Sequence, residues 1–202
     1  MLSDTFFTVA SASEGMYREK GSKFIAFVLP VKDEEEIGKH LARLRRQYFD
    51  ARHHCYAWRL GAEGTHYRAN DDGEPSGSAG KPILGQIVSC GLTNVLVAVV
   101  RYFGGVLLGV GGLAHAYKQA AADALAHATV VPGILAETYR VTFEYPDMNH
   151  VLRVVKDMEL ECFAQDFNLV CSMKVRVRKS LSAQMMQRLE RIGSLTVEPA
   201  MP

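Results

Sequence analysis

The sequence predicts an α+β protein of two domains, and three observations predict it. A Val-rich run at 94–103 is apolar on both faces until Arg101, which marks a buried strand. That strand opens through a Gly-rich loop into an Ala-rich helix suited to close packing on a sheet. Pro132-Gly133 then punctuates the chain, and beyond it the periods run strand, helix, strand, strand, helix, strand, the ferredoxin-like order. A chain of 202 residues suffices for two such cores, so we divide it into 1–132 and 133–202.

The elements follow in order. Residues 6–10 and 16–18 read as short strands. Gly21-Ser22, between Lys20 and Lys23, predicts a hairpin turn with glycine supplying positive φ, followed by a strand at 24–31. Asp33 starts a helix, with Glu36 at the capping-box spacing and Glu34 and Glu35 against the positive end of the helix dipole. Ile37, Leu41, Leu44 and Tyr48 share one face of it. The strand at 53–60 alternates: His54, Tyr56, Trp58 and Leu60 face one way, Cys55, Ala57 and Arg59 the other. A long loop covers 61–80, with a hairpin through His66 and Tyr67, and a short helix covers 83–90. The Ala-rich helix runs over 111–129. In the second domain a strand at 139–145 precedes a helix at 147–158 that gathers Val151, Val154, Val155 and Met158 on one side. Strands at 160–167 and 169–178 pair, Ser180 or Ser182 caps a helix to Arg191, and a short strand at 195–197 closes the domain.

Composition narrows the function classes. The net charge is +1, and a cut at Pro132 leaves both halves close to neutral, so any nucleic-acid site comes from local clustering and not from bulk field. No sequence-specific DNA reading is expected. The four cysteines, Cys55, Cys90, Cys162 and Cys171, form no CxxC pair, which reads as reduced thiols in a cytoplasmic protein. The N-terminus lacks a basic start followed by a long apolar run, so it does not read as a secretory signal. The run 95–113 invites a membrane reading, but Arg101 lies inside it and its pattern switches from strand to helix, so no membrane span is expected.

The candidate site centres on Arg101 and the glycines that follow. Gly109-Val110-Gly111-Gly112 opens a helix, where free N–H groups and the dipole favour an anion. A dinucleotide fingerprint is a poor fit: the loop is too long for a tight strand-to-helix turn, and no acidic ribose partner follows. A triphosphate loop fails too, since Pro82 follows Lys81 and Pro75 stands at the first required glycine. The competing reading is that the glycines only let the helix approach the sheet. We assign the anion site to Arg101, Lys81, Gly104, Gly105, Gly109, Gly111, Gly112, Lys118 and Arg52. His54, Tyr56 and Trp58, on one strand face, would stack bases if exposed and fill a core if not. The loop at 70–78 carries Asp71, Asp72 and Glu74, but its spacing is not a calcium loop and its residues are ordinary turn formers. Ser76, Ser78 and Lys81 suggest a nucleophile with a lysine base, without a third group to orient them. His53, His54, His66 and Cys55 fall short of a zinc set. No metal, cofactor or catalytic residue is assigned.

Four ordered blocks carry a family resemblance: KGSKFIA (20–26), ARHHCYAWRLG (51–61), NDDGEPSGSAGKPIL (70–84) and VVRYFGGVLLGVGGLAHAY (99–117). Together they resemble the IMPACT family, and the length and C-terminal region resemble its bacterial, YigZ-type members. The resemblance implies a first domain of the kind shared by elongation factor G domain IV and a small-subunit ribosomal protein, and a second like elongation factor G domain V. It also implies a link to translation, with RNA, the ribosome or a translation-control protein as partner. A binding protein is the leading expectation. The alternatives are a hydrolase-type enzyme on a small phosphorylated or acidic substrate, and an adaptor that contacts protein alone.

Overall fold

The structure, a computed structural model, describes residues 4–193 and 195–201. Two compact units result: Phe6–Gly133, and the chain from Ile134 onward joined by Asp4 and Thr5. Asp4 belongs with the later residues because its carbonyl accepts the Leu135 N–H at 2.7 Å and its carboxylate accepts the Ser180 N–H at 3.0 Å.

The first unit contains β1 (Thr5–Val9), β2 (Ser13–Glu19), β3 (Ser22–Pro30), α1 (Glu34–Gln47), β4 (His53–Leu60), β5 (His66–Asn70), α2 (Gly80–Ser89), β6 (Val95–Tyr102), α3 (Gly109–Ala126) and β7 (Val130–Ile134). Its sheet runs β2-β3-β6-β4-β5, with every neighbouring pair antiparallel, and β1 pairs with β7 apart from it. The first hairpin turns at Lys20-Gly21, one residue earlier than expected, with φ of 46° and 80°. A two-residue primed turn needs positive φ at both positions, which leaves Ser22 as the first residue of β3. β6 reads as an unbroken apolar run because it is central and helices cover both faces.

One face is closed by α1. Asp33 accepts the Glu36 N–H at 2.8 Å and Glu36 reaches back to the Lys32 N–H at 2.9 Å, which fixes the helix start. Ile37, Leu41 and Leu44 then pack on Phe27, Leu29, Tyr56, Trp58, Leu96 and Val100. The other face is closed by α2 and α3 over Phe24, Ala26, Val28, Cys55, Ala57, Val97 and Val99. The alanines of α3 allow close contact; a Cβ on Gly15 of β2 would fall 2.3 Å from the Ala124 nitrogen.

The second unit contains β8 (Ala136–Glu144), a 3-10 turn (Tyr145–Asp147), α4 (Met148–Asp157), β9 (Glu161–Phe167), β10 (Val170–Arg178), α5 (Lys179–Leu189) and β11 (Thr196–Pro199). The antiparallel sheet runs β11-β8-β10-β9. Alternate residues of β10, Cys171, Met173, Val175 and Val177, meet Val141, Phe143, Val151, Met185 and Leu189 in one core. Residues 95–113 resolve into β6, a loop and the start of α3, and no helix among the described residues is long and apolar enough to cross a membrane.

Candidate functional site

The acidic loop between β5 and α2 is a structural clamp. Asp71 accepts the N–H groups of Gly77 at 2.8 Å, Ala79 at 3.0 Å and Gly80 at 2.8 Å. It thereby supplies the cap that Ala79, at the start of α2, cannot. Burial works to raise its carboxyl, but the three amide hydrogen bonds, aided by Lys81, outweigh burial and hold it below the usual carboxylate range. Asp72, at a φ of 42°, accepts the His54 N–H at 2.7 Å, and its carbonyl takes the His53 Nδ1 proton at 2.8 Å. Because a carbonyl can only accept, this second bond requires a proton on His53 Nδ1.

Glu74, from the same loop, turns inward. Its Oε1 sits 2.6 Å from Arg101 Nη1, at the end of β6, with both side chains almost wholly buried. The Tyr117 hydroxyl of α3 donates to the same oxygen at 2.8 Å, and His53 Nε2 lies 3.9 Å from it. Behind Tyr117, the Cys55 thiol contacts its hydroxyl at 3.2 Å and the Asp71 carbonyl at 3.0 Å. Burial pushes the Cys55 thiol far up, and burial with the neighbouring Cys55 and Glu74 does the same to Tyr117. Cys55 is therefore a protonated core group and not a thiolate nucleophile. The Arg101 guanidinium lies between the rings of Phe24 and Phe103, at 5.4 and 5.7 Å from their centroids. Its Nη2 reaches Ser22 Oγ at 3.5 Å, and its Nε has no hydrogen-bond partner.

A cleft of about 380 Å³ opens over this cluster, lined by Arg52, His53, Glu74, Arg101 and the apolar side chains of Phe103, Leu107, Leu108, Val110 and Leu113. The first turn of α3 forms part of its wall. Among the described residues no side chain caps this helix, and a Cβ on Gly109 or Gly111 would meet nothing within 4 Å. Gly109, Val110 and Gly111 of the first turn are exposed, and the positive end of an 18-residue helix lies behind them. Gly109 has a φ of 70°, so the entry to the helix depends on glycine.

The expected site residues sort as follows. Arg52, Arg101 and Gly109 line the cleft, and Gly111 and Gly112 continue the first turn of α3. Gly104 is spent on the protein itself: its N–H bonds Ser22 Oγ at 3.1 Å, and a Cβ there would strike the Gly21 carbon at 1.9 Å. Gly105 is exposed with open space around it. Lys81 and Lys118 are exposed and do not line the cleft. Arg101 departs from the free cation expected: Glu74 neutralises it. His54, Tyr56 and Trp58 do share a face, but that face lies under α1 at 8%, 8% and 3% exposure, so none of the rings is open to a base. Burial is also the first cause holding the His54 imidazole below its usual range. The serine proposal also fails at Ser78, which is fully buried and donates to the Pro75 carbonyl at 2.6 Å. His53, Glu74 and Tyr117 were not in the expected site, and only the folded chain brings them together across 64 positions.

Residues 20–125 match the family model of the Impact N-terminal domain, which spans just over half of the chain. The IMPACT family member YigZ of Escherichia coli K12 is 31% identical over 172 residues, covering 84% of each chain. The chain belongs to the IMPACT family. A second IMPACT family member, YvyE of Bacillus subtilis 168, is 36% identical over 141 residues, which span 70% of this chain and 65% of that one. A crystal structure described as a hypothetical protein superposes with a TM-score of 0.73 at 29% identity, over 100% of this chain and 99% of the other. The IMPACT blocks at 51–61, 70–84 and 99–117 are the segments that build the cleft and the buried cluster beneath it.

Proposed function

We propose that this IMPACT family member is a translation-linked binding protein that engages RNA, the ribosome or a translation-control protein by taking one negatively charged group of that partner into the cleft at the start of α3. What supports the reading is a helix start with no side-chain cap among the described residues, whose Gly109 and Val110 line the cleft beside Arg101 and whose next residue, Gly111, is exposed. The link to translation is drawn from the family and from element order. The second unit has a ferredoxin-like strand order, and the family resemblance likens the two units to domains IV and V of elongation factor G.

Crosslinking in cells, followed by recovery of both RNA and protein, tests the reading. The expected result is that Gly111→Asp loses the partner while remaining folded and expressed. Undiminished capture by that variant overturns it. Nuclease treatment then separates an RNA partner from a protein one.

A second reading, an enzyme on a small phosphorylated or acidic substrate, has one observation in its favour. His53 lines the cleft with Nδ1 bound to the Asp72 carbonyl and Nε2 3.9 Å from Glu74 Oε1, next to a buried Glu74–Arg101–Tyr117 cluster. It predicts turnover that His53→Gln abolishes. No turnover across a panel of phosphate esters and acidic substrates counts against it.

A further inference from the structure

Resting on the anion-taking cleft proposed above, we infer that its occupant is the C-terminal carboxylate of a polypeptide whose last side chain is apolar. The rim carries the argument. Phe103, Leu107 and Val110 line the cleft and are 45%, 84% and 58% exposed. Val106, beside them in sequence, is 50% exposed. Large apolar side chains grouped around a single opening mark a contact surface, and they make a poor wall for a nucleic-acid backbone, which is charged at every nucleotide and wants a basic track. Lys81 and Lys118, the lysines that would extend such a track, lie outside the lining.

The charge balance points the same way. Arg101 is cancelled by Glu74 at 2.6 Å, so the buried pair brings no surplus positive charge to the cleft. What remains is the partial positive charge of the α3 terminus and the side chain of Arg52, which lines the cleft. That set matches one negative charge.

Size completes the case. A volume of about 380 Å³ is at the low end for ligand pockets and holds the end of a chain, not a chain passing through. Backbone amides that capture a terminal carboxylate, with an apolar pocket for the last side chain, are a known mode of peptide recognition. Here Gly109 and Val110, which line the cleft, with Gly111 next in the same turn, would be the donors, and Leu107, Leu108 and Leu113 would form the pocket for the terminal side chain.

The test titrates the ¹⁵N-labelled full chain with four probes and follows the Gly109, Gly111 and Gly112 amide signals. The probes are a hexapeptide pool ending in Leu, Val or Phe with a free carboxylate, the same pool amidated at its C-terminus, inorganic phosphate, and a short single-stranded RNA. The expected result is saturable shifts with the free-carboxylate pool and affinity about tenfold or more weaker after amidation, the loss of one charge-assisted set of hydrogen bonds. Leu107→Ser, at an exposed position, is expected to weaken the free-carboxylate pool about fivefold with an unchanged melting curve. Equal binding of the amidated pool overturns the inference. Shifts from phosphate or RNA alone overturn it too, while leaving an anion site standing. If no probe moves these amides, both the inference and the anion reading fall.

Discussion

Gly111→Asp separates stability from binding, because the two effects have opposite signs. Gly111 is exposed, is the third residue of α3, and an added Cβ meets nothing within 4 Å. The first turn has neither an acidic residue nor a side-chain cap. A carboxylate placed there interacts favourably with the dipole by roughly 0.3–1 kcal/mol, and removing a helical glycine adds about 0.5 kcal/mol. The fold should therefore gain about 1 kcal/mol, a rise of roughly 3 °C in Tm for a unit of this size. Binding moves the other way. A fixed negative charge about 5 Å from a bound anion costs on the order of 3 kcal/mol at an effective dielectric constant of about 20, a loss of over 100-fold in affinity. Gly111→Asn is the control, with the same shape and no charge, and should lose far less. Thermal melts and the amide titration measure both quantities on one sample. A Gly111→Asp variant that melts higher and binds as tightly as the parent would refute the assignment of the α3 terminus as the anion site.

Three further outcomes follow from the buried cluster and the loop. Arg101→Met should destabilise the first unit by about 3–5 kcal/mol in urea titration, because Glu74 is left charged, buried and short of a partner; adding Glu74→Gln should restore a large part of it. Asp71→Asn should cost about 2 kcal/mol through the lost α2 cap. Its carboxyl is held below the ordinary range in the folded state, so its contribution is present above the unfolded pKa near 4 and is lost as pH falls through the lower folded value. Acid melts of the parent should show that loss, and those of Asp71→Asn should not. Trp58, the sole tryptophan and 3% exposed, should fluoresce as a buried indole, resist iodide quenching and keep its emission when RNA is added; quenching by RNA would restore the stacking surface that the structure removes.

Local pattern made much of the fold legible. The Asp33–Glu36 box, the alternation of β4 and β10, and the continuous apolar run of β6 each point to one element, because in each the burial period is set within a few residues. The start of α3 was read two residues late, at Gly111 and not Gly109, because glycine carries no helix signal of its own. The site was only half legible. The glycines at the head of α3 announce an open helix terminus, but nothing near Arg101 in sequence shows that Glu74, 27 residues earlier, will neutralise it. Likewise the aromatic face of β4 looks the same whether covered or bare. Only the placement of α1 above the sheet decides that, and it is a long-range fact.

The loop between β6 and α3 is pinned at one end and jointed at two points. At Gly104 the backbone rests on Gly21 so closely that no other residue fits, whereas Gly105 and Gly109, at φ of 86° and 70°, have nothing within 4 Å of a would-be Cβ. Around Val106 and Leu107 the backbone is thus flanked by two unobstructed glycines, while Ser22 holds Gly104 in place. On the inferred reading Leu107 and Leu108 sit on this loop and Leu113 on α3, so selectivity for the terminal side chain should shift with substitutions in either segment.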